Sequence, residues 1–258
     1  MDAISTFRLF AHDPSTSRER VANQPEIARE VENYSEVIGS IKSIDDLMNN
    51  HRAYSFVMQA YGLEEMTYAR AFVRQVLEGG VDDPESMANR LADKRYFEMA
   101  KDFNFERYGT ATTAFERTTT GAIDKFYQQK LESQAGDQNS GARLAIYFQR
   151  KAEGVEDAYS ILADRALLKF VQVTYGLPVE MSYSSLDRQA EMINKRLDFE
   201  DLKDPEFAER MVNRFLASWD SQNPDTVNVP PLISSPNSIL GISQDLLATI
   251  QTLKYRAR

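Results

Sequence analysis

Tyr61-Gly62-Leu63-Glu64-Glu65-Met66-Thr67-Tyr68 and Tyr175-Gly176-Leu177-Pro178-Val179-Glu180-Met181-Ser182-Tyr183 are two versions of one stretch, the second with one residue inserted. In each, an apolar helical run ends on tyrosine. Glycine then supplies the left-handed turn that stops a helix, and leucine folds back on the last turn. Phe56-Val57 precedes the first stretch as Phe170-Val171 precedes the second. Arg74-Gln75 aligns with Arg188-Gln189, and Asp83-Pro84-Glu85 with Asp204-Pro205-Glu206. These matches keep one order along the chain, which identifies an internal duplication. The repeated unit reads as a helix, a glycine stop, an antiparallel helix and a proline-initiated helix. Such units bury their faces against each other.

Working outward, helical periodicity dominates and strict alternation is rare. Pro25 suits a first turn, and Ile27, Val31, Tyr34, Ile38 and Ile41 follow at coiled-coil-like spacing. Ile44, Leu47, Met48, Tyr54, Met58 and Tyr61 predict one helix from Ser43 to Tyr61. Met66 to Leu77 predicts another, stopped at Gly79-Gly80, and Asp83-Pro84-Glu85 reads as a new helix start. Tyr96, Phe97, Ala100 and Phe103 continue the apolar face, and Phe115 to Tyr127 marks a longer helix. Ser133 to Gly141 is polar and reads as a loop before a helix from about Ala142 to Lys151. The second half restarts at Val155, with one helix from Ile161 to Val173 and another beginning at Asp204-Pro205-Glu206. The expected fold is all-α. Two related multi-helix units span residues 1–141 and 142–220. A Pro-rich linker and a C-terminal amphipathic helix occupy 221–258.

Composition narrows the chemistry. The chain of 258 residues has 39 acidic and 30 basic side chains, a formal charge of -9, and no cysteine. Disulfides, thiolate metal sites and thiol catalysis are therefore excluded. An acidic chain opposes polyanions, so nucleic acid is not an expected partner. No apolar run is long enough to span a membrane as a helix. With only His12 and His51, a multi-histidine catalytic metal site has almost no residues to draw on. His51 falls between Met48 and Tyr54 and reads as a packed side chain; Arg165 holds the equivalent place in the second copy. His12 and Trp219 read as structural. The carboxylate pairs Asp45-Asp46, Glu64-Glu65 and Asp82-Asp83 sit where helices begin, which favours the helix dipole over acid–base chemistry. No catalytic, metal or cofactor residue is assigned.

The ends carry the functional expectation. Ile239, Leu240, Ile242, Leu246, Leu247, Ile250 and Leu253 line one side of the last predicted helix, beyond the Pro-rich linker. A free apolar helix is marginal in water and docks on something. These residues are the expected partner-binding surface, for a protein partner or a second copy of the chain. Competing expectations are an enzyme with a carboxylate-lined interhelical cleft and a carrier of a small apolar ligand.

Ser43-Ile44-Asp45-Asp46, Ala60 to Met66, Asp82-Asp83-Pro84 and Leu91-Ala92-Asp93 together resemble a bacterial family, domain of unknown function 1217. In the second copy the resemblance rests on Tyr159 to Asp164, Leu177-Pro178 and Lys203-Asp204-Pro205, so it covers about residues 5–220. The family has no established activity and is found in alphaproteobacteria, often beside flagellar genes. The resemblance implies a non-enzymatic helical protein of flagellar assembly or motility, with flagellar components as partners. It implies a cytoplasmic protein, or one exported by the flagellar apparatus, without a cleaved signal.

Overall fold

The computed structural model describes residues 1–11 and 13–223; these contain helices and turns and no strand. The order is α1 (Ala3–Ala11), α2 (Pro14–Ala22), α3 (Pro25–Ile38), α4 (Ile44–Asn49), α5 (His51–Ala60), α6 (Arg70–Gly79), α7 (Met87–Arg90) and α8 (Lys94–Asp102). There follow α9 (Phe105–Tyr108), α10 (Thr120–Gln138), α11 (Ser140–Lys151), α12 (Ala158–Ala163), α13 (Arg165–Tyr175), α14 (Leu186–Asn194) and α15 (Pro205–Gln222). The all-α expectation holds. Among the described residues no helix is long and apolar enough to cross a membrane.

The duplication is deeper in structure than in sequence. Tyr34/Phe148, Ser43/Asp157, Asn50/Asp164, Phe56/Phe170 and Gly62/Gly176 keep one constant separation along the chain. Each pair does the same job. Ser43 and Asp157 cap α4 and α12, accepting from the backbone N–H of Asp46 and Ser160. Asn50 and Asp164 cap α5 and α13. Gly62 (φ 67°) and Gly176 (φ 62°) stop those helices in the left-handed region. The N–H of Leu63 then reaches back to Met58 and that of Leu177 to Gln172, as a Schellman stop requires. Phe56 and Phe170 are each the middle ring of a stack of three. Tyr34 and Phe126 flank Phe56 at 4.0 and 4.2 Å between centroids, and Phe148 and Phe215 flank Phe170 at 3.8 and 4.4 Å. Thus α3 corresponds to α11, α4 and α5 to α12 and α13, and α10 fills the place of α15.

Two apolar cores result. The first runs from Phe10 to Ala135 with Ile146; the second runs from Ala145 to Leu216 with Ala3. Helix α1 touches both, with Phe10 in the first and Ala3 in the second. Its free N–H groups at Ala3 and Ile4 donate to the Asp220 carboxylate of α15, at 2.8 and 3.3 Å. The seam of α3 faces α5 within the chain, with Ile27, Tyr34 and Ile38 buried.

Several sequence expectations change. The single helices expected over Ser43–Tyr61 and Ile161–Val173 are each two, broken at the caps Asn50 and Asp164. Ser133–Gln138 is helical, not loop, because Leu131, Glu132 and Ala135 bury one side of α10; only Asn139 interrupts before α11. Asp83-Pro84-Glu85 forms a turn, and the helix begins later, at Met87. Ser86 Oγ donates to Gly80 O at 3.0 Å, and Asn89 Nδ2 donates to Val81 O at 2.9 Å and Asp83 O at 2.7 Å, pinning that turn. Arg74-Gln75 and Arg188-Gln189 are not equivalent: Gln75 is exposed and Gln189 buried. His51 is exposed at the first turn of α5, not packed.

Candidate functional site

The cores meet along a polar seam built from α8, α10 and α11. Here lies a cleft of about 170 Å³ lined by Tyr61, Arg95, Glu98, Lys125, Tyr147 and Lys151, among others. The end of α5 carries Tyr61 into it, because the glycine stop at Gly62 turns the chain away just beyond. Tyr61 Oη donates to Asp102 Oδ2 at 2.6 Å, and Lys125 Nζ stands 3.1 Å from the same oxygen. Lys151 Nζ meets Glu98 Oε1 at 2.6 Å, and Arg95 pairs with Asp93 at 2.7 Å while donating to Gly62 O. Tyr147 Oη donates to Asp164 Oδ2 at 2.5 Å. That carboxylate therefore caps α13 with one oxygen and anchors α11 with the other. Glu132, 2% exposed, accepts from Arg150 Nε at 2.7 Å and Nη2 at 3.2 Å.

The electrostatics fit a structural seam. Burial, reinforced by the Asp102 carboxylate, pushes the Tyr61 phenol well above its ordinary range. Burial and then Asp164 do the same to Tyr147. Burial opposes the charge on Arg150, but Glu132 outweighs it and holds the guanidinium more firmly protonated. A general acid or base works near the operating pH. These groups are driven away from it, and each cation has a carboxylate. Among the described residues no cluster of three or more metal-ligating side chains occurs.

A second, larger cleft of about 390 Å³ is an open trough along the α4–α6 edge. Arg74 there pairs with Asp45 at 2.6 Å and Glu78 at 3.4 Å, and Phe105, Gly109 and Thr110 form the far wall. The acidic pairs divide accordingly. Asp45-Asp46 and Glu64-Glu65 sit in first turns as expected, Asp45 also pairing with Arg74. Asp82 instead pairs with Arg107 at 3.0 Å.

The matching edge of the second copy, α12–α14, is different. Tyr159 stands in the place of Asp45, and its hydroxyl donates to Asp187 Oδ1 at 2.8 Å. On the Val179–Tyr183 turn and the α14 start that follow it in the chain, Tyr183 is 92%, Val179 64% and Leu186 62% exposed, and Tyr159 is itself 50% exposed. Tyr68, the first copy's counterpart of Tyr183, is 80% exposed. The residues of this corner come from three elements and follow no single period, so no sequence pattern marks it. The seven apolar residues from Ile239 to Leu253 assigned as a partner surface lie outside the described residues, as does His12.

No curated protein matches the chain. It is similar to a crystal structure of a protein from Agrobacterium tumefaciens at 43% identity and a TM-score of 0.80, over 86% of this chain and 94% of that one. The family model described as protein of unknown function (DUF1217) matches residues 60–208. That span takes in both glycine stops and the whole polar seam from Tyr61 to Asp164, and on it the chain belongs to the DUF1217 family.

Proposed function

We propose that this chain is a non-enzymatic interaction protein of bacterial flagellar assembly or motility. It engages partners through helical surfaces rather than through a reaction centre. The observation that carries the reading is the exposed apolar corner of Tyr159, Val179, Tyr183 and Leu186, set against a polar cleft whose charges are paired. Large apolar side chains grouped in water mark contact surfaces, and tyrosine is among the commonest anchors at them. The flagellar setting, and with it a cytoplasmic or flagellum-exported location, rests on what the family resemblance implies. The apolar periodicity from Ile239 to Leu253 is a second surface in this reading. An enzyme with a carboxylate-lined cleft fits less well, because Glu98, Asp102 and Glu132 are each held by a cation. A carrier of small apolar ligands fits poorly with clefts lined by charge.

A photo-crosslinking residue at position 183, introduced in motile cells, tests this. The expected result is a crosslink to a flagellar component, with smaller swimming halos for Tyr183→Ala-Leu186→Ala at unchanged protein level. No crosslink and unchanged halos overturn it.

A further inference from the structure

We infer that the α12–α14 corner receives an amphipathic, lysine- or arginine-bearing helix of a partner protein; this inference rests on the interaction reading above. The two copies show what kind of element is wanted there. In the first copy one part of the corresponding edge, Phe72 opposite Leu186, is covered from within the chain, while Tyr68 opposite Tyr183 stands in water. Helix α6 packs not only on α4 but on α7, α8 and α9, with Phe72 meeting Tyr96 edge-on at 5.2 Å and Phe105 walling the trough beside Arg74. That cover is the helical insertion between α6 and α10. Between α14 and α15 the second copy has only a short 3-10 turn, Glu200–Lys203. Helix α14 packs on α12, and the apolar side chains of the corner stand in water. A scaffold that covers Phe72 with a helix in one copy leaves its counterpart Leu186 open to a partner's helix in the other.

Charge selects which helix. Glu180 is exposed between Val179 and Met181, Asp187 follows Leu186 and holds the Tyr159 hydroxyl, and Asp157 lies close enough to help raise the Tyr159 phenol. Against these three carboxylates stands Arg188, one residue beyond Asp187 and beside Glu191. The whole chain carries a formal charge of -9. A second copy would bring carboxylates to carboxylates, whereas a basic amphipathic helix would bury its apolar stripe on Tyr183 and Leu186 and place its cations at the rim.

The test uses the full chain and two labelled designed peptides, one of leucine and lysine, one of leucine and glutamate, followed by fluorescence anisotropy. The lysine peptide is expected to bind and to weaken with salt. Tyr183→Ala-Leu186→Ala should lower its affinity about tenfold or more, and Glu180→Gln-Asp187→Asn should weaken it too. Tyr68→Ala should leave it unchanged. Binding of the lysine peptide that ignores the corner variants, equal binding of the glutamate peptide, or no binding overturns the inference. So does sedimentation of the chain alone as a dimer that Tyr183→Ala-Leu186→Ala dissociates, which would assign the corner to a second copy. If both peptides fail yet position 183 crosslinks a protein in cells, only the partner chemistry is wrong. If the crosslink fails as well, the interaction reading falls with it.

Discussion

Gly141→Ala should destabilise the second core, against the usual effect of that substitution in a helix. Gly141 is buried in the first turn of α11, and its N–H donates to the Asn139 cap at 2.8 Å. Replacing a helical glycine by alanine normally gains about 0.5–1 kcal/mol, and burying the added methyl about 0.8 kcal/mol. Here the new Cβ would stand 2.5 Å from Trp219 Nε1 and 2.6 Å from its Cγ, and would also run into Cδ1. The obstruction is the base of the indole, not a flexible tip, so the ring must leave the α11 face. It would give up its contact with Phe215, 5.6 Å between centroids, worth about 0.5–1.5 kcal/mol. Much of the indole burial goes as well, about 1.5–3 kcal/mol on the scale of a large apolar side chain. The net is a loss of roughly 0–3 kcal/mol, below the full figure because Trp219 is only partly buried, and in the range of overpacked cores. Trp219 is the sole tryptophan, so its emission reports the displacement directly. A red-shifted spectrum and a lower urea midpoint are expected. Combined with Trp219→Ala, the Gly141→Ala penalty should largely vanish. An alanine variant at least as stable as the parent, with unchanged emission, would refute the reasoning.

Phe56→Ala and Phe170→Ala each remove the middle ring of a stack and should each cost about 3–5 kcal/mol in urea unfolding. Matched losses are expected because the two positions are equivalent. Gly176→Ala places a side chain at φ 62° in open space and should cost about 1 kcal/mol. Gly62→Ala should cost more, since its Cβ also meets Gln129 Oε1 at 3.1 Å. Glu132→Gln removes the carboxylate from the buried end of its pair with Arg150, whose guanidinium keeps access to water, and should cost about 1–3 kcal/mol; replacing both partners by apolar residues should cost less. Hydroxyl donation from Ser15, then from Thr16, holds the Asp13 carboxylate down at about 2. Its folded pKa lies below the unfolded one, so the stabilisation is full above about pH 4 and is lost as pH falls toward 2. A carboxyl NMR titration of Asp13 and its absence in Asp13→Asn check this.

The fold was legible wherever local chemistry decided it. Glycine at Gly62 and Gly176 with leucine behind it reads as a helix stop, and Phe56-Val57 and Phe170-Val171 stand at the same place before it in both copies. The breaks at Asn50 and Asp164 were hidden because apolar spacing runs straight through them. A cap of one residue overrides a pattern of ten. The tripeptide Asp-Pro-Glu shows the limit from the other side. Asp83 and Asp204 both accept from the N–H two residues on, yet only the second starts a helix at once. What separates them is tertiary: Asn89 and Ser86 tie the first tripeptide to Val81 and Gly80. The polar seam was illegible for a similar reason, since Tyr61 meets Asp102 only once the first core is packed, and Glu98 meets Lys151 only once α8 and α11 come together.

Duplication also separates scaffold from function. Positions that serve the fold agree between the copies: caps accept, glycines turn, the middle rings stack. Positions on the α4–α6 and α12–α14 edges do not. Asp45 with Arg74 has become Tyr159 with Asp187, and the helical insertion that shields one edge has no counterpart on the other. A neutral drift of surface residues would exchange one charge for another at little cost. Placing tyrosine, valine and leucine together in water instead creates an association hazard that a second partner surface would remove. On the interaction reading proposed above, the edge where the copies disagree is the place to seek a partner's contribution, and Tyr159 and Leu186, which stand where the first copy has Asp45 and Phe72, are the side chains on which to begin.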